Sequence, residues 1–139
     1  MRDDDLIEDL LTRARRIAVV GASDHPNRPS YGVVGRVLQA GFEVVPVNPN
    51  ATTVHGIPAV ASLADIDGPV DLVDVFRRVE HTPDVVREAA AIGAPAVWLQ
   101  SGLRSPEARR LADEAGMTYV EDRCLAVEVA VRGVRADAG

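Results

Sequence analysis

Residues 17–49, which read IAVVGASDHPNRPSYGVVGRVLQAGFEVVPVNP, decide the fold of this chain. The β-branched run 17–20 predicts a buried strand that stops at Gly21, and the pattern from about 31 to 40 predicts a helix. A second strand is predicted at 43–47. Strand, turn, helix and strand form the plan of a nucleotide-binding half-domain, in which the helix N-terminus faces a phosphate. The polar loop before the helix is longer and poorer in glycine than the usual dinucleotide fingerprint, which leaves room for a bulkier and more anionic ligand.

Helix and strand patterns alternate along the rest of the chain. The remaining predicted strands lie at 71–76, 96–100 and 117–121. The remaining predicted helices are an N-terminal helix over about 4–15 capped by Asp4 or Asp5, a helix capped by Thr82 with Pro83 as its first residue, a helix starting at Ser105 and a short helix after Cys124, and a flexible tail is predicted at 135–139. This alternation predicts a single α/β domain, 1–139, with a Rossmann-like, doubly wound, parallel five-stranded sheet and helices on both faces. The expected strand order is 3-2-1-4-5, which places a crevice at the carboxyl ends of strands one and four.

Composition and charge narrow the classes of function. The net charge of −6 disfavours nucleic acid or an anionic membrane as the partner, and no run of residues is long enough to span a membrane. The acidic N-terminus is the reverse of a signal peptide, and the single cysteine, Cys124, excludes an internal disulfide. We therefore expect a cytoplasmic protein with a small-molecule nucleotide ligand. The sequence leaves open a homo-oligomer and any protein partner.

Arginines in the crevice loops are the candidate anion contacts. Arg28 is the only cation in the loop after strand one, and a guanidinium can hold a diphosphate through two parallel hydrogen bonds. The alternative is an ordinary solvated arginine. Arg77 and Arg78 end strand three, and we favour Arg77 as the residue that faces the crevice. The loops that would line the crevice are 21–31, 48–50, 76–79 and 100–103.

Small and polar residues complete the first of these loops. Gly21 permits a tight turn and close approach of a ligand to the backbone. Ser23 and Ser30 offer hydroxyl groups, and Ser30 is placed to cap the following helix. The free backbone N–H groups expected at 31–33 suit an anion whether or not Ser30 is the cap.

The end of strand two bears on which nucleotide would bind. NAD-dependent enzymes typically carry Asp or Glu there to bind the ribose hydroxyls, whereas this chain has Asn48-Pro49-Asn50. The missing carboxylate disfavours NAD, and no arginine replaces it in support of NADP.

The other reactive side chains form no catalytic pattern. His25, His55 and His81 lie far apart in sequence and have no cysteine or carboxylate at metal-ligand spacing, so no metal is expected. Cys124 fits a small buried residue better than a reactive one, and Trp98 is expected in the core. We assign no catalytic residue.

Six segments carry a resemblance to a known family. They are IAVVGAS (17–23), RPSY (28–31), VPVNP (45–49), VDVFR (73–77), VWLQSG (97–102) and EDRC (121–124). In this order they resemble the small stand-alone CoA-binding proteins, which are related to the CoA-binding domain of succinyl-CoA synthetase α-subunits and of acyl-CoA synthetases. The resemblance implies a Rossmann-type domain that binds coenzyme A (or acyl-CoA) and has no established reaction.

The resemblance also implies a set of binding residues. The diphosphate would lie against Gly21, Ala22, Ser23, Arg28, Ser30 and Tyr31, and the adenosine near Val47, Asn48 and Pro49, with Phe76 and Arg77 lining the crevice. We add Gln100, at the start of the loop after strand four. This chain departs from the family at Asn50, where members often carry a lysine, and after Cys124, where LAVEV replaces a basic residue and a histidine.

The leading hypothesis is a CoA- or acyl-CoA-binding protein without catalytic machinery, acting as a metabolite sensor or carrier. One alternative is a minimal NAD(P)-dependent oxidoreductase, although no acid or base for hydride transfer is evident. The other is a nucleotide-responsive regulatory subunit.

Overall fold

The structure is a computed structural model that describes residues 2–136. Its helices are α1 (Asp3–Arg13), α2 (Pro29–Gln39), α3 (Thr82–Ala91), α4 (Pro106–Glu114) and α5 (Leu125–Val131). Its strands are β1 (Arg16–Val20), β2 (Glu43–Val47), β3 (Thr53–Val54), β4 (Ile57–Pro58), β5 (Leu72–Val75), β6 (Ala96–Leu99) and β7 (Thr118–Val120). Short 3-10 turns lie at Leu63–Asp65 and Val79–His81. No helix in the described part of the chain has the length and apolar character needed to cross a membrane.

Five of the strands form one parallel sheet, which confirms the predicted fold class. The order is β2-β1-β5-β6-β7, and β3 pairs with β4 in a separate antiparallel hairpin. Along β1, Ile17 and Val19 belong to one hydrophobic cluster, whereas Ala18 and Val20 belong to the other, as expected when successive side chains point to opposite faces. Residues of α1, α2 and α5 pack in the first cluster and residues of α3 and α4 in the second. The sheet is therefore covered on both faces.

The predicted strand order 3-2-1-4-5 is wrong, because the third long strand lies beside β1 and not beyond β2. In that numbering the observed order is 2-1-3-4-5. The outer side of β2 is occupied by Val60, whose N–H donates to the Pro46 carbonyl at 3.0 Å and whose carbonyl accepts from Asn48 N at 2.9 Å. Pro46 lacks an amide hydrogen, and proline in sheets is confined to edge strands, bulges and strand starts, so it suits the edge position of β2.

The correction moves the point at which the sheet changes direction. In the order 2-1-3-4-5 this switch point lies between β1 and β5, and ligands of such sheets bind outside the carboxyl ends of the strands there. Gly21 N donates to the Val47 carbonyl and Phe76 N donates to the Val20 carbonyl, each at 2.8 Å. The loops that follow β1, β2 and β5 are thereby joined at one edge of the sheet.

Three N-cap residues differ from the prediction and one helix start agrees. Arg2, rather than Asp4 or Asp5, is the N-cap residue of α1, Arg28 is that of α2, and His81, rather than Thr82, is that of α3. A helix start at Ser105 agrees with the structure, in which α4 begins at Pro106 and the Oγ of its N-cap residue Ser105 accepts a hydrogen bond from Ala108 N at 3.0 Å. At the other end of the chain, Ala136 is buried and its N–H donates to the Ala40 carbonyl at 2.8 Å. Residues 137–139 of the predicted tail lie outside the described residues.

Candidate functional site

A cleft of about 800 Å³ opens at the carboxyl edge of the sheet, beside the switch point. This volume lies within the range of ligand pockets. Of the predicted site residues, those that line the cleft are Gly21, Ser23, Arg28, Ser30, Asn48, Phe76, Arg77 and Gln100. Those that do not are Ala22, Tyr31, Val47 and Pro49. Ala22 and Val47 are buried in the core, and Pro49 is exposed on the turn after β2.

Glycine is required at position 21 because the ends of β1 and β5 lie close together there. Its φ is +85°, and a β-carbon at this position would lie only 2.1 Å from the carbonyl oxygen of Phe76. No side chain fits at that distance. The close approach that glycine permits here is therefore to the backbone of the next strand, and it brings the two loops together at the cleft.

The two serines of the first loop shape its backbone. Ser30 is 3% exposed, and its Oγ accepts a hydrogen bond from Ser23 N at 3.0 Å. Ser23 Oγ accepts in turn from His25 N at 3.1 Å. The prediction that Ser30 caps α2 is wrong, because the helix begins one residue earlier at Pro29. Ser30 instead holds the loop against the first turn of the helix.

The earlier start of α2 also changes which amide is free at its N-terminus. Pro29 has no amide hydrogen, and Tyr31 N donates to the Arg28 carbonyl at 3.1 Å. Ser30 N has no hydrogen-bond partner among residues 2–136. Ser30 N is therefore a backbone donor next to Arg28 that is available to a ligand, whereas Tyr31 N, one of the three donors predicted at 31–33, is occupied.

Tyr31 lies outside the cleft because it packs on His55. The two rings are stacked with centroids 3.9 Å apart, and His55 Nε2 donates to the Tyr31 carbonyl at 2.7 Å. The same imidazole lies over Gly35, where a β-carbon would be 3.1 Å from His55 Cε1. This contact joins α2 to the turn between β3 and β4, and the sequence carries no signal for it.

Three arginines of the cleft have no protein partner in the described part of the chain. Arg28, Arg77 and Arg78 all line the cleft, are exposed, and form neither an ion pair nor a side-chain hydrogen bond there. Arginines elsewhere are typically paired, as in the 2.7 Å contact between Arg16 Nε and Glu43 Oε2. The one carboxylate lining the cleft, Asp24, lies 3.6 Å from His25 Nε2. The cleft therefore presents a local excess of positive charge on a chain whose net charge is −6.

Asn48 connects two of the cleft loops through its side chain. Its Nδ2 donates to the Ala22 carbonyl at 2.7 Å, and its Oδ1 accepts from Asn50 N at 2.8 Å. The position at which NAD-dependent enzymes carry a carboxylate is thus occupied by a structural amide. Asn50, the residue after this pair, also lines the cleft.

The segment before α5 forms a wall of the cleft that the sequence prediction missed. Cys124 is half-buried and lines the cleft. Its neighbours are held by two side chains of the β6 region: Trp98 Nε1 donates to the Arg123 carbonyl at 2.8 Å, and Gln100 Oε1 accepts from Leu125 N at 3.1 Å. The sequence could have indicated this wall, because the carboxyl ends of parallel strands all lie at the same edge of a sheet and Cys124 follows the last predicted strand. Val33 also lines the cleft and lies outside the predicted loops, whereas the remaining lining residues lie within those loops but were not named as binding residues: Asp24, His25, Pro29, Asn50, Arg78, Ser101 and Leu103.

A carboxyl group without partners is buried in the strand that leads to the cleft. Asp74 is fully buried in β5 between Val19 and Trp98, and neither of its oxygens has a hydrogen-bond partner within residues 2–136. Burial raises the pKa of Asp74 well above its ordinary value. Burial therefore favours the uncharged, protonated form of this carboxyl group, and Asp74 is not among the residues that line the cleft.

These features define a class: a doubly wound α/β domain with an arginine-lined cleft at the switch point of its sheet. The family model described as the CoA binding domain matches residues 15–130. The chain belongs to this family of CoA-binding domains, which confirms the resemblance found in its sequence.

Individual relatives agree with this assignment. An uncharacterized protein of Bacillus subtilis, YneT, is 46% identical over 125 residues, which cover 90% of this chain and 93% of that protein. The ADP-forming acetate–CoA ligase II of Archaeoglobus fulgidus is 31% identical over 101 residues, which cover 71% of this chain but only 15% of the ligase. A solved structure of a hypothetical protein from Pyrococcus horikoshii superposes with a TM-score of 0.90 at 37% identity, covering 94% of this chain and 92% of that one.

Proposed function

We propose that this chain binds coenzyme A or an acyl-CoA in the cleft and serves as a sensor or carrier of that metabolite. The observation that carries the proposal is the set of three unpaired arginines, Arg28, Arg77 and Arg78, on one cleft of an acidic chain. Guanidinium groups bind phosphates through paired, charge-assisted hydrogen bonds. CoA carries a diphosphate and a 3′-phosphate, so it supplies anionic groups for more than one arginine.

The diphosphate is assigned to the N-terminal end of α2. Arg28 and the unpartnered Ser30 N lie next to each other there, and the helix dipole adds partial positive charge. The size of the cleft, about 800 Å³, suits a nucleotide with an extended arm. Membership of the CoA-binding domain family supports the same ligand.

NAD is the nucleotide that this site fits less well. An NAD-dependent site has a carboxylate at the end of the second strand for the ribose hydroxyls. Here Asn48 stands in that position, and both ends of its amide are engaged by Ala22 and Asn50. The ribose would therefore lose the contact that selects NAD.

Isothermal titration calorimetry of the full chain with CoA, acetyl-CoA, NAD and NADP tests the proposal. We expect heat of binding from CoA or acetyl-CoA and weaker or no binding of NAD. Arg28→Ala should weaken CoA binding by about 1.5–3 kcal/mol, the scale of a hydrogen bond to a charged group. Arg36→Ala is the matched control, because Arg36 is an exposed arginine of α2 that lies outside the cleft. Clear binding of NAD with no heat from either CoA species would refute the proposal.

A further inference from the structure

Helix α5 is apolar on the side that faces solvent as well as on the side that faces the sheet. Glu128 is the only polar residue in its sequence, LAVEVAV. Leu125 and Val129 pack in the core. Val127 and Val131, one helical turn apart, are 46% and 72% exposed, and we call them the α5 ridge. Because a helix that is apolar on all sides is normally buried on all sides, the ridge is expected to be covered.

A groove of about 540 Å³ lies beside the α5 ridge, between α5 and the end of α2. Ala130 of α5 lines this groove and directly precedes Val131 of the ridge. The other apolar lining residues are Ala40, Ala126, Val129 and Val134. A ridge and a groove of the same apolar chemistry therefore lie side by side on one face. Such a face fits a second copy of itself, because a two-fold axis between the copies places each ridge in the groove of the other.

The helices on the two sides of α5 carry opposite charge. On one side, α1 has five acidic residues and one arginine, and its Asp4 and Glu8 lie 3.0 and 3.6 Å from Arg132 at the end of α5. On the other side, Arg36 is the only charged residue of α2, and it lines the groove together with Arg135. A two-fold axis that runs along α5 brings the acidic α1 of each copy opposite the basic α2 of the other. The charges therefore favour the same partner as the ridge and the groove.

We propose that the face formed by α1, α5 and α2 is the interface of a homodimer of this chain. The two α5 helices lie side by side along the two-fold axis, with the α5 ridge of each copy in the groove of the other. A face three helices wide is near the lower limit for a specific interface, so we expect a dissociation constant of about 1–10 μM. In the described part of the chain the groove shares no lining residue with the cleft, so this inference does not rest on the proposed ligand.

Sedimentation velocity of the full chain tests the proposal. We expect monomer at low concentration and dimer at about 100 μM, well above the expected dissociation constant. Val131→Lys places a charge on the ridge of both copies and should raise the dissociation constant about tenfold or more. The substitution is compatible with the fold, because Val131 is exposed and a cation is favourable in the last turn of a helix. Val127→Lys, on the same ridge, should have the same effect on the dimer.

Val79→Lys is the matched control, because Val79 is a third exposed valine and precedes α3, which packs on the other face of the sheet. This variant should form the dimer as well as the unsubstituted protein does. The dimer should also weaken as the salt concentration rises, because salt screens the charges of α1 and α2 across the interface. Far-UV circular dichroism of Val131→Lys should match that of the unsubstituted protein. A chain that is monomeric at about 100 μM, or a dimer that neither ridge variant weakens, would overturn the proposal.

Discussion

Two groups of arginines in this molecule have opposite surroundings. At the end of β7, Arg104 Nη2 lies 2.8 Å from Asp122 Oδ2, and Arg109 lies 3.7 Å from Glu121 with its guanidinium 4.6 Å from the centre of the Tyr119 ring. We call this group the paired cluster. In the cleft, Arg28 and Arg77 have no such partner in the described part of the chain. A chain with an excess of carboxylates could have paired them, so the difference supports the proposal that the cleft arginines bind an anion from outside the protein.

The largest effect that this comparison predicts is on ligand affinity. The double substitution Arg28→Ala and Arg77→Ala should weaken CoA binding by about 3–5 kcal/mol, since each arginine is proposed to make a charge-assisted contact with the ligand. The free energy of unfolding should change little, because neither side chain has an ion pair or hydrogen bond with another residue of the described range 2–136. Calorimetry measures the change in CoA affinity, and urea denaturation measures the change in the free energy of unfolding.

The matched control is the double substitution Arg104→Ala and Arg109→Ala in the paired cluster. It should reduce stability and leave CoA affinity unchanged. CoA affinity of the unsubstituted protein should also fall as the salt concentration rises, because the contacts in the cleft lie between exposed charges. Equal losses of affinity in the two double variants would remove the distinction between the groups.

The second prediction concerns Asp74, a buried carboxyl group whose oxygens have no hydrogen-bond partner within residues 2–136 and which does not line the cleft. Because burial raises its pKa, the folded state holds the proton of Asp74 more tightly than the unfolded state does. The stability that this proton provides is complete below the unfolded pKa of about 3.9 and is lost as the pH rises through the folded pKa. Asp74→Asn cannot ionise, so its stability relative to the unsubstituted protein should increase as the pH rises above about 4.

Urea denaturation of both proteins at a series of pH values checks this prediction. The difference between the two free energies of unfolding isolates Asp74 from the other titrating groups. We expect it to grow as the pH rises from about 4 and then to level off. Parallel curves over the whole range would mean that Asp74 does not change its protonation on folding.

The sequence predicted the fold class well because periodicity reports which faces of a strand are buried. It did not predict the strand order, because the neighbours of a strand are set by tertiary packing that periodicity does not record. Pro46 was the available signal, since its missing amide hydrogen fits an edge strand better than a central one. With β2 at the edge, β1 and β5 become neighbours, and the loop carrying Arg77 and Arg78 comes to the cleft.

The candidate site was predicted where it depends on loops at the carboxyl ends of strands, as for Arg28, Asn48 and Gln100. It was missed where long-range contacts decide the position of a side chain. Tyr31 faces His55, which lies 24 residues further along the chain, and so it turns away from the cleft. Cys124 was missed because only the loops after the first four strands were predicted to line the crevice, and Cys124 lies in the loop after the fifth strand.

The smallest predicted effect lies within the paired cluster itself. Tyr119 Oη donates to Glu121 Oε1 at 2.7 Å, and it lies 3.3 Å from the Ser105 carbonyl. Tyr119→Phe removes this hydroxyl and keeps the ring under Arg109, so it should cost about 1 kcal/mol of stability, the usual net value of a hydrogen bond. Urea denaturation measures this loss, and calorimetry of the same variant should return an unchanged affinity for CoA. A loss of CoA affinity in Tyr119→Phe would show that the paired cluster is coupled to the cleft, and would break the separation of the two arginine groups into structural and ligand-binding roles.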